Sequence, residues 1–167
     1  MNAPNRNTPF YRRLAEVIAA RGGMFNAHLH LDRYGTLDDR YMVGTGHEIL
    51  ANSHVSLQRK HHLINNLHAG PAYDRDDFRR RVHEAIDTMV ACNTTRADTL
   101  VDVTADRVGL TGLEMMAEIK AERADEIDLR IGAYSPLGFR DCEPERWEVY
   151  QEGARRADFL AALPEAD

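Results

Sequence analysis

Apolar residues recur at helical spacing in several segments of the chain, and turn-forming residues separate these segments. The first segment begins at Thr8, a typical helix N-cap, and stops at Gly22 and Gly23. Further amphipathic helices are predicted over residues 54–67, 74–90, from 111 onward, and 144–156. Thr111 and Glu114 have the spacing of a capping box at the start of one of them.

Short and nearly continuous apolar runs alternate with these helices. Their β-branched side chains and polar boundaries predict buried strands over residues 24–31, 99–103, 128–134 and 159–163. Residues 32–71 are interpreted as a long loop that carries a helix. Alternating strands and helices are typical of a parallel sheet covered by helices, so doubly wound sheets and (β/α)8 barrels are the leading fold classes.

Composition and charge narrow the class of protein. The chain has 167 residues, of which 43% are apolar, and a net charge of −6 without a basic cluster. These values favour a folded domain and argue against nucleic acid or an anionic membrane as a partner. The two cysteines lack a metal or redox spacing, the N-terminus lacks an apolar signal segment, and no apolar run reaches the roughly 18 residues of a membrane span. We therefore expect a cytoplasmic protein.

The length also bears on the fold. The sequence ends at Asp167, just after the fourth predicted strand. A closed (β/α)8 barrel typically needs about 250 residues. If the sheet is of the barrel type, we expect the chain to be incomplete and to hold the first half of the barrel.

The clearest chemical signal comes at the end of the first predicted strand. His28 and His30 are two positions apart, so on a strand their side chains project to the same side. Active sites of (β/α)8 barrels lie at the C-terminal ends of the strands, where two imidazoles can bind one divalent ion. Two ligands hold a metal weakly, so this pattern predicts a site that needs further ligands from elsewhere.

The sequence His-Leu-His-Leu-Asp-Arg at residues 28–33 resembles the first-strand metal motif of the amidohydrolase superfamily, and most closely that of its cytosine deaminase branch. The resemblance covers most of the chain from about Phe25 onward. It includes residues 58–60, 76–80, 93–103, 113–120, 127–131 and 153–158.

This resemblance implies an α/β fold that consists of the first four βα units of a (β/α)8 TIM barrel, preceded by an N-terminal helix. Residues 1–23 would form the helix and lead-in, and residues 24–167 the N-terminal half of a metal-dependent hydrolase barrel. The implied cofactor is one divalent metal, Zn or Fe, bound by His28, His30 and ligands from later strands. The implied reaction is deamination or hydrolysis of a C–N bond in a small cyclic nitrogenous substrate by a metal-activated water.

The implied partners are the small-molecule substrate and either the missing C-terminal half or a partner chain, and we expect a homo-oligomer. Four residues are candidates to line the substrate pocket: Lys60, Asp102, Tyr134 and Ser135. For Lys60 the alternative is an ordinary exposed lysine. For Tyr134 and Ser135 the alternative is an ordinary turn after the third strand. Asp32 and Arg33 are candidates to pair with each other and hold the imidazoles, and a simple loop ion pair is the alternative.

The chain departs from the family pattern at two places. Its second strand carries Leu100 where the family often has a histidine. After the third strand, Tyr134 and Ser135 stand in the region where cytosine deaminase places a base-recognising glutamine. We therefore expect a substrate other than cytosine. None of the carboxylates in the chain can be assigned as the general acid or base.

A second group of histidines recurs every seven residues, at positions 47, 54, 61 and 68. This spacing predicts a solvated or pocket-facing helix surface rather than a second metal site. Two other functional classes remain open. A non-catalytic half-barrel that binds a partner or ligand would form a stable oligomer without metal. A doubly wound ligand-binding domain has less support, because no glycine-rich phosphate loop follows the first strand.

Overall fold

The computed structural model describes residues 8–41 and 57–163. The α-helices are α1 (Pro9–Ala20), α2 (Leu57–Ala69), α3 (Arg75–Ala91), α4 (Thr111–Glu122) and α5 (Pro144–Arg156). The β-strands are β1 (Met24–Leu29), β2 (Thr94–Asp102), β3 (Asp128–Ser135) and β4 (Phe159–Ala162). Single turns of 3₁₀ helix lie at Leu31–Arg33, Asp39–Tyr41 and Pro71–Tyr73.

The strands form one parallel sheet in the order β1-β2-β3-β4. The two central strands pair in continuous register, from Arg96 opposite Asp128 to Asp102 opposite Tyr134. Parallel strands in sequence order, connected by helices, are the arrangement of a (β/α)8 barrel. The prediction of the first four βα units of such a barrel, preceded by an N-terminal helix, is confirmed. All four strands therefore end at the same edge of the sheet.

The hydrophobic core lies where the helices cover the two central strands. It includes Phe78, Val82 and Ile86 from α3, Met116 and Ile119 from α4, and Val101, Leu129 and Ile131 from β2 and β3. Each of these side chains is almost completely buried. Full burial of a side chain of this size contributes roughly 1.5–3 kcal/mol. The core thus fixes β2 and β3, and with them the positions of the residues at their C-terminal ends.

The N-terminal helix begins as the sequence predicts. The Thr8 hydroxyl accepts a hydrogen bond from the backbone N–H of Tyr11 at 3.3 Å. The helix ends before Gly22 and Gly23, which have φ angles of 90° and 93°, a conformation that glycine adopts readily. Among the described helices, none has both the length and the apolar character that are needed to cross a bilayer.

The first strand differs from its prediction. It ends at Leu29, and the following residues turn into a 3₁₀ helix instead of continuing to residue 31. It is also mostly exposed within the described structure, whereas the sequence predicted a buried strand. The reason is its place at the edge of the sheet, where it pairs with β2 alone. Its apolar residues would suit a strand that is covered on both sides.

Two further details differ from their predictions. The second strand begins at Thr94, because Arg96 and Asp98 form ion pairs across to β3 and so allow charged residues within the strand. The capping box at the start of α4 is absent, since Thr111 is already the first helical residue. The N-cap is Leu110, which makes no capping hydrogen bond through its side chain.

Candidate active site

Side chains from β1 and β3 meet at the edge where the strands end. His28 lies in β1 and His30 follows this strand directly, and their ring centroids are 5.5 Å apart. The ring of His30 lies 5.2 Å from the ring of Tyr134, near the end of β3. The two imidazoles are therefore neighbours at the C-terminal end of the sheet. Their role as metal ligands stays a prediction.

His30 has the properties of a neutral ligand. Burial, and then the nearby Arg33 guanidinium, lower the pKa of His30 to about 4. The imidazole is consequently uncharged near neutral pH, the form in which histidine binds metal ions. Its Nδ1 atom is buried and has no hydrogen-bond partner among the described residues. A buried ring nitrogen without a partner is uncommon in proteins, and it fits a site at which a ligand binds.

Asp102, the last residue of β2, is completely buried and is the centre of a polar network. Both of its carboxylate oxygens accept hydrogen bonds from Arg33, through Nε at 2.9 Å and through Nη2 at 2.5 and 2.6 Å. The His68 Nε2 atom lies 2.9 Å from Asp102 Oδ2, and the Tyr73 hydroxyl oxygen lies 3.2 Å from the same oxygen. Burial alone would raise the pKa of Asp102, but Arg33 and His68 outweigh it and lower the pKa.

Asp32 is buried next to Asp102 in the turn after β1. Its Oδ2 atom accepts hydrogen bonds from the Asp102 backbone N–H and from the Tyr73 hydroxyl, both at 2.9 Å. Burial, and then the adjacent Asp102 carboxylate, raise the pKa of Asp32. The Arg33 guanidinium lies against the Asp102 carboxylate, and the pairing of Asp32 with Arg33 that the sequence suggested stays a prediction. Whether Asp32 and Arg33 support the imidazoles stays a prediction.

His68 is the residue that the sequence interpretation placed least well. Its seven-residue spacing from other histidines predicted a solvated or pocket-facing position, and the solvated alternative is wrong, since only 1% of His68 is exposed. Its two ring nitrogens contact two carboxylates, Asp102 at 2.9 Å and Asp106 at 2.6 Å. Burial opposes its positive charge, but the two carboxylates outweigh burial and raise the pKa of His68 to about 9. They therefore hold His68 as a buried cation at neutral pH.

The stability of the chain should depend on pH through His68. Because its folded pKa of about 9 lies above the ordinary 6.5, its stabilisation is complete below pH 6.5 and is lost as the pH rises through 9. Relative to His68→Gln, the native chain should lose about 3 kcal/mol of unfolding free energy over this range, at 1.36 kcal/mol per pKa unit. Urea unfolding at pH 6, 7.5 and 9.5 measures this difference.

A matched control for this experiment lies on the same helix. Asn65 is exposed and does not titrate, so the difference between the native chain and Asn65→Gln should be constant with pH. If the His68→Gln difference were equally constant, the buried imidazolium would be ruled out.

Arg81 of α3 is a second buried cation that the sequence interpretation missed. It is 1% exposed, and it donates hydrogen bonds to the backbone carbonyl oxygens of Asp32 at 3.0 Å and Tyr34 at 2.6 Å, and to that of Ala72. Its Nε atom donates to Asp77 at 2.7 Å. Arg81 thereby fixes the turn that follows β1. A signal was present in the sequence, because this arginine falls on the apolar face of its helix.

The structure describes the side chains of some of the other predicted pocket residues but not of all of them. Ser135 is buried at the end of β3 and lines a small cavity together with Thr104 and Arg146. Tyr134 is buried, with its ring 5.7 Å from the Arg33 guanidinium carbon. Lys60 belongs to α2, but its side chain lies outside the described residues. Histidines 47, 54 and 61 of the seven-residue series also lie outside them, in whole or in their side chains.

The described residues do not form a complete metal site. Within residues 8–41 and 57–163, no three side chains of histidine, cysteine, aspartate or glutamate are grouped so that they could hold an ion. His28 and His30 fit as two nitrogen ligands of Zn or Fe, which imidazole suits. A complete metal site would need further ligands in addition to His28 and His30.

The chain has the architecture of the first four units of a (β/α)8 barrel, with polar residues at the C-terminal ends of its strands, where enzymes of this fold have their active sites. Two solved structures share this fold, both of 5-methylcytosine deaminase from Klebsiella pneumoniae, one liganded with phosphonocytosine and one with 5-fluorocytosine. Each is 21% identical to this chain with a TM-score of 0.66, over 87% of this chain and 32% of the deaminase. The chain thus spans about a third of the length of these structures.

The likeness at this level of identity concerns the fold. No family model matches the sequence, and no curated protein is significantly similar to it.

Proposed function

We propose that this chain forms the metal-binding half of a hydrolase that deaminates, or otherwise cleaves, a C–N bond in a small cyclic nitrogenous substrate. The observation that carries the proposal is the side-by-side placement of His28 and His30 at the C-terminal end of β1. In (β/α)8 barrels this is the end that holds the active site. The shared fold with 5-methylcytosine deaminase supports the type of reaction.

The proposed cofactor is one divalent ion, Zn or Fe, with His28 and His30 among its ligands. Such an ion, when bound, supplies Lewis-acid activation of water for attack on the substrate carbon. The Nδ1 of His30, which has no hydrogen-bond partner in the part of the chain that the structure describes, and the nitrogen donor set support this assignment. The protein contributes orientation, because the turn after β1 is fixed by Arg81 and its Asp32 is bonded to the end of β2.

The substrate would bind between the imidazoles and the end of β3. Tyr134 and Ser135 are the proposed pocket residues on β3, and Lys60 is proposed to cap the pocket from α2. The contacts of Asp102 with Arg33 and His68 suit a residue that positions the pocket, in addition to its proposed role near the substrate.

The proposal requires further βα units, since β1 and β4 each pair with one strand in the described sheet. We propose that a C-terminal half or a partner chain pairs with these edges and supplies the remaining metal ligands and the group that transfers protons. We call the chain together with these units the assembled protein. A homo-oligomer in the cytoplasm is part of the same proposal.

The proposal is tested on the assembled protein by elemental analysis and by ammonia release from a panel of aminated heterocycles. We expect about one Zn or Fe per barrel and hydrolysis that is lost on chelation and restored by adding metal. Metal-free protein that hydrolyses none of the panel in the presence of Zn or Fe would refute the proposal.

A second candidate function is a non-catalytic half-barrel that binds a partner. The observation that favours it is the exposed apolar surface at both edges of the sheet, where Phe25 and Leu160 are 53% and 57% exposed. Exposed apolar residues at open sheet edges suit an interface. This alternative predicts a stable oligomer that retains no metal, so the same elemental analysis separates the two functions.

A further inference from the structure

The guanidinium of Arg33 is held on one side and open on the other. Its Nε and Nη2 atoms donate to both oxygens of Asp102. Its Nη1 atom makes no hydrogen bond with any atom of residues 8–41 and 57–163, and 22% of the side chain is exposed. The two N–H donors of Nη1 are therefore not used by the described residues, and the pairing with Asp102 restrains the plane of the guanidinium.

The guanidinium of Arg33 lies beside the candidate active site. The guanidinium carbon is 5.7 Å from the centre of the Tyr134 ring. That ring is 5.2 Å from the ring of His30, which is itself 5.5 Å from His28. The four side chains form a continuous row across the C-terminal ends of β1 and β3.

The surroundings determine which acceptor suits Arg33. Its positive charge is balanced by Asp102, which also contacts His68, and His68 is paired in addition with Asp106. A carboxylate on the substrate would face a guanidinium whose charge Asp102 already neutralises. The neighbouring carboxylates would also repel it. An uncharged carbonyl oxygen would accept the fixed N–H donors without this repulsion.

We infer that Arg33 contacts the substrate directly and selects an uncharged ring carbonyl over a carboxylate at the same position. The inference rests on the proposed function and adds a specificity-determining residue to it. The resemblance to amidohydrolases implied only a supporting role for this arginine. The hydrogen-bond acceptor of Arg33 is the carbonyl oxygen of the substrate. Arg33 therefore differs from a residue that only orients the imidazoles of His28 and His30.

Three probes built on the same aminopyrimidine ring test this inference by equilibrium binding to the assembled protein. Cytosine presents a ring carbonyl, 4-aminopyrimidine lacks it, and 4-aminopyrimidine-2-carboxylate presents an anion there. We expect the native protein to bind cytosine at least about 10-fold more tightly than either other probe, as the loss of one charge-assisted hydrogen bond would give. These probes report carbonyl recognition, and cytosine need not be the natural substrate.

Arg33→Lys is the informative variant, because lysine keeps the charge beside Asp102 but loses the planar fork. It should weaken cytosine binding by about 10-fold or more and change 4-aminopyrimidine binding by less than about 3-fold. The matched control is Arg123→Lys, since Arg123 is also half-buried and paired with two carboxylates, Asp87 and Glu126, but lies at the end of α4. This control should leave all three affinities unchanged.

Other outcomes overturn the inference. Equal binding of the carboxylate and cytosine, equal weakening of all probes by Arg33→Lys, or no binding of any probe would each do so. Metal content and ammonia release are measured on the same preparations. Normal hydrolysis with unselective Arg33→Lys binding would remove the inference and keep the proposed function, whereas absent metal and absent hydrolysis would remove both.

Discussion

Replacing His28 and His30 together by alanine is expected to abolish metal retention and hydrolysis in the assembled protein while the fold is kept. The change removes two proposed ligands, so the loss of activity should exceed the about 10–100-fold effects that follow removal of a residue behind a ligand. His28 is exposed and His30 is half-buried, so the unfolding free energy of the metal-free protein should change by less than about 1 kcal/mol. Elemental analysis, initial rates and urea unfolding measure the three quantities.

His83→Ala is the control for this double variant. His83 lies on α3 and contacts Glu122 at 3.4 Å on the protein surface, away from the strand ends. It should retain the metal and the rate of the native protein. A double variant that still holds one metal per barrel and hydrolyses at the native rate would disprove the ligand assignment.

Asp102→Asn is expected to destabilise the chain far more than the removal of a charge from an exposed ion pair. The substitution keeps the shape of the side chain but leaves Arg33 and His68 as buried cations without their shared carboxylate. Breaking a buried ion pair by removing one partner typically costs about 3–5 kcal/mol. Urea unfolding at pH 7 gives this difference, and a double-mutant cycle with Arg33→Met shows how much of it belongs to the Arg33 pair.

The comparison for Asp102→Asn is Asp87→Asn. Asp87 also pairs with an arginine, Arg123 at 2.7 Å, but 66% of its side chain is exposed. Exposed ion pairs contribute about 0–1 kcal/mol, so this variant should remain close to the native chain. If both variants lost equally little stability, Asp102 would not be the centre of a stabilising network.

Local sequence patterns were sufficient to predict the fold class. The alternation of apolar runs with amphipathic segments predicted the order of strands and helices, and α5 begins and ends at the predicted residues. The N-cap at Thr8 was also predicted correctly. These features depend on neighbouring residues, since periodicity and capping act within one or two turns.

Features that depend on distant residues were not predictable in the same way. The burial of His68 follows from Asp102 and Asp106, which are 34 and 38 positions away in the sequence. The exposure of β1 follows from its position at the sheet edge, which its apolar residues do not reveal. The histidine pair was found because both residues lie on one short segment, whereas the choice of Asp102 as the partner of Arg33 required the sheet to be assembled.

The network around Asp102 also constrains the register of β1 against β2. Its hydrogen bonds join residues separated by 29 to 70 positions, and they connect the turn after β1, the end of α2 and the end of β2. A slip of β1 by one position against β2 would turn the side chains of β1 and of the adjoining turn to the opposite face of the sheet. The charged groups of the network would then lose their partners. Because unpaired buried charges cost several kcal/mol, the network favours the native register of β1 over a misaligned one.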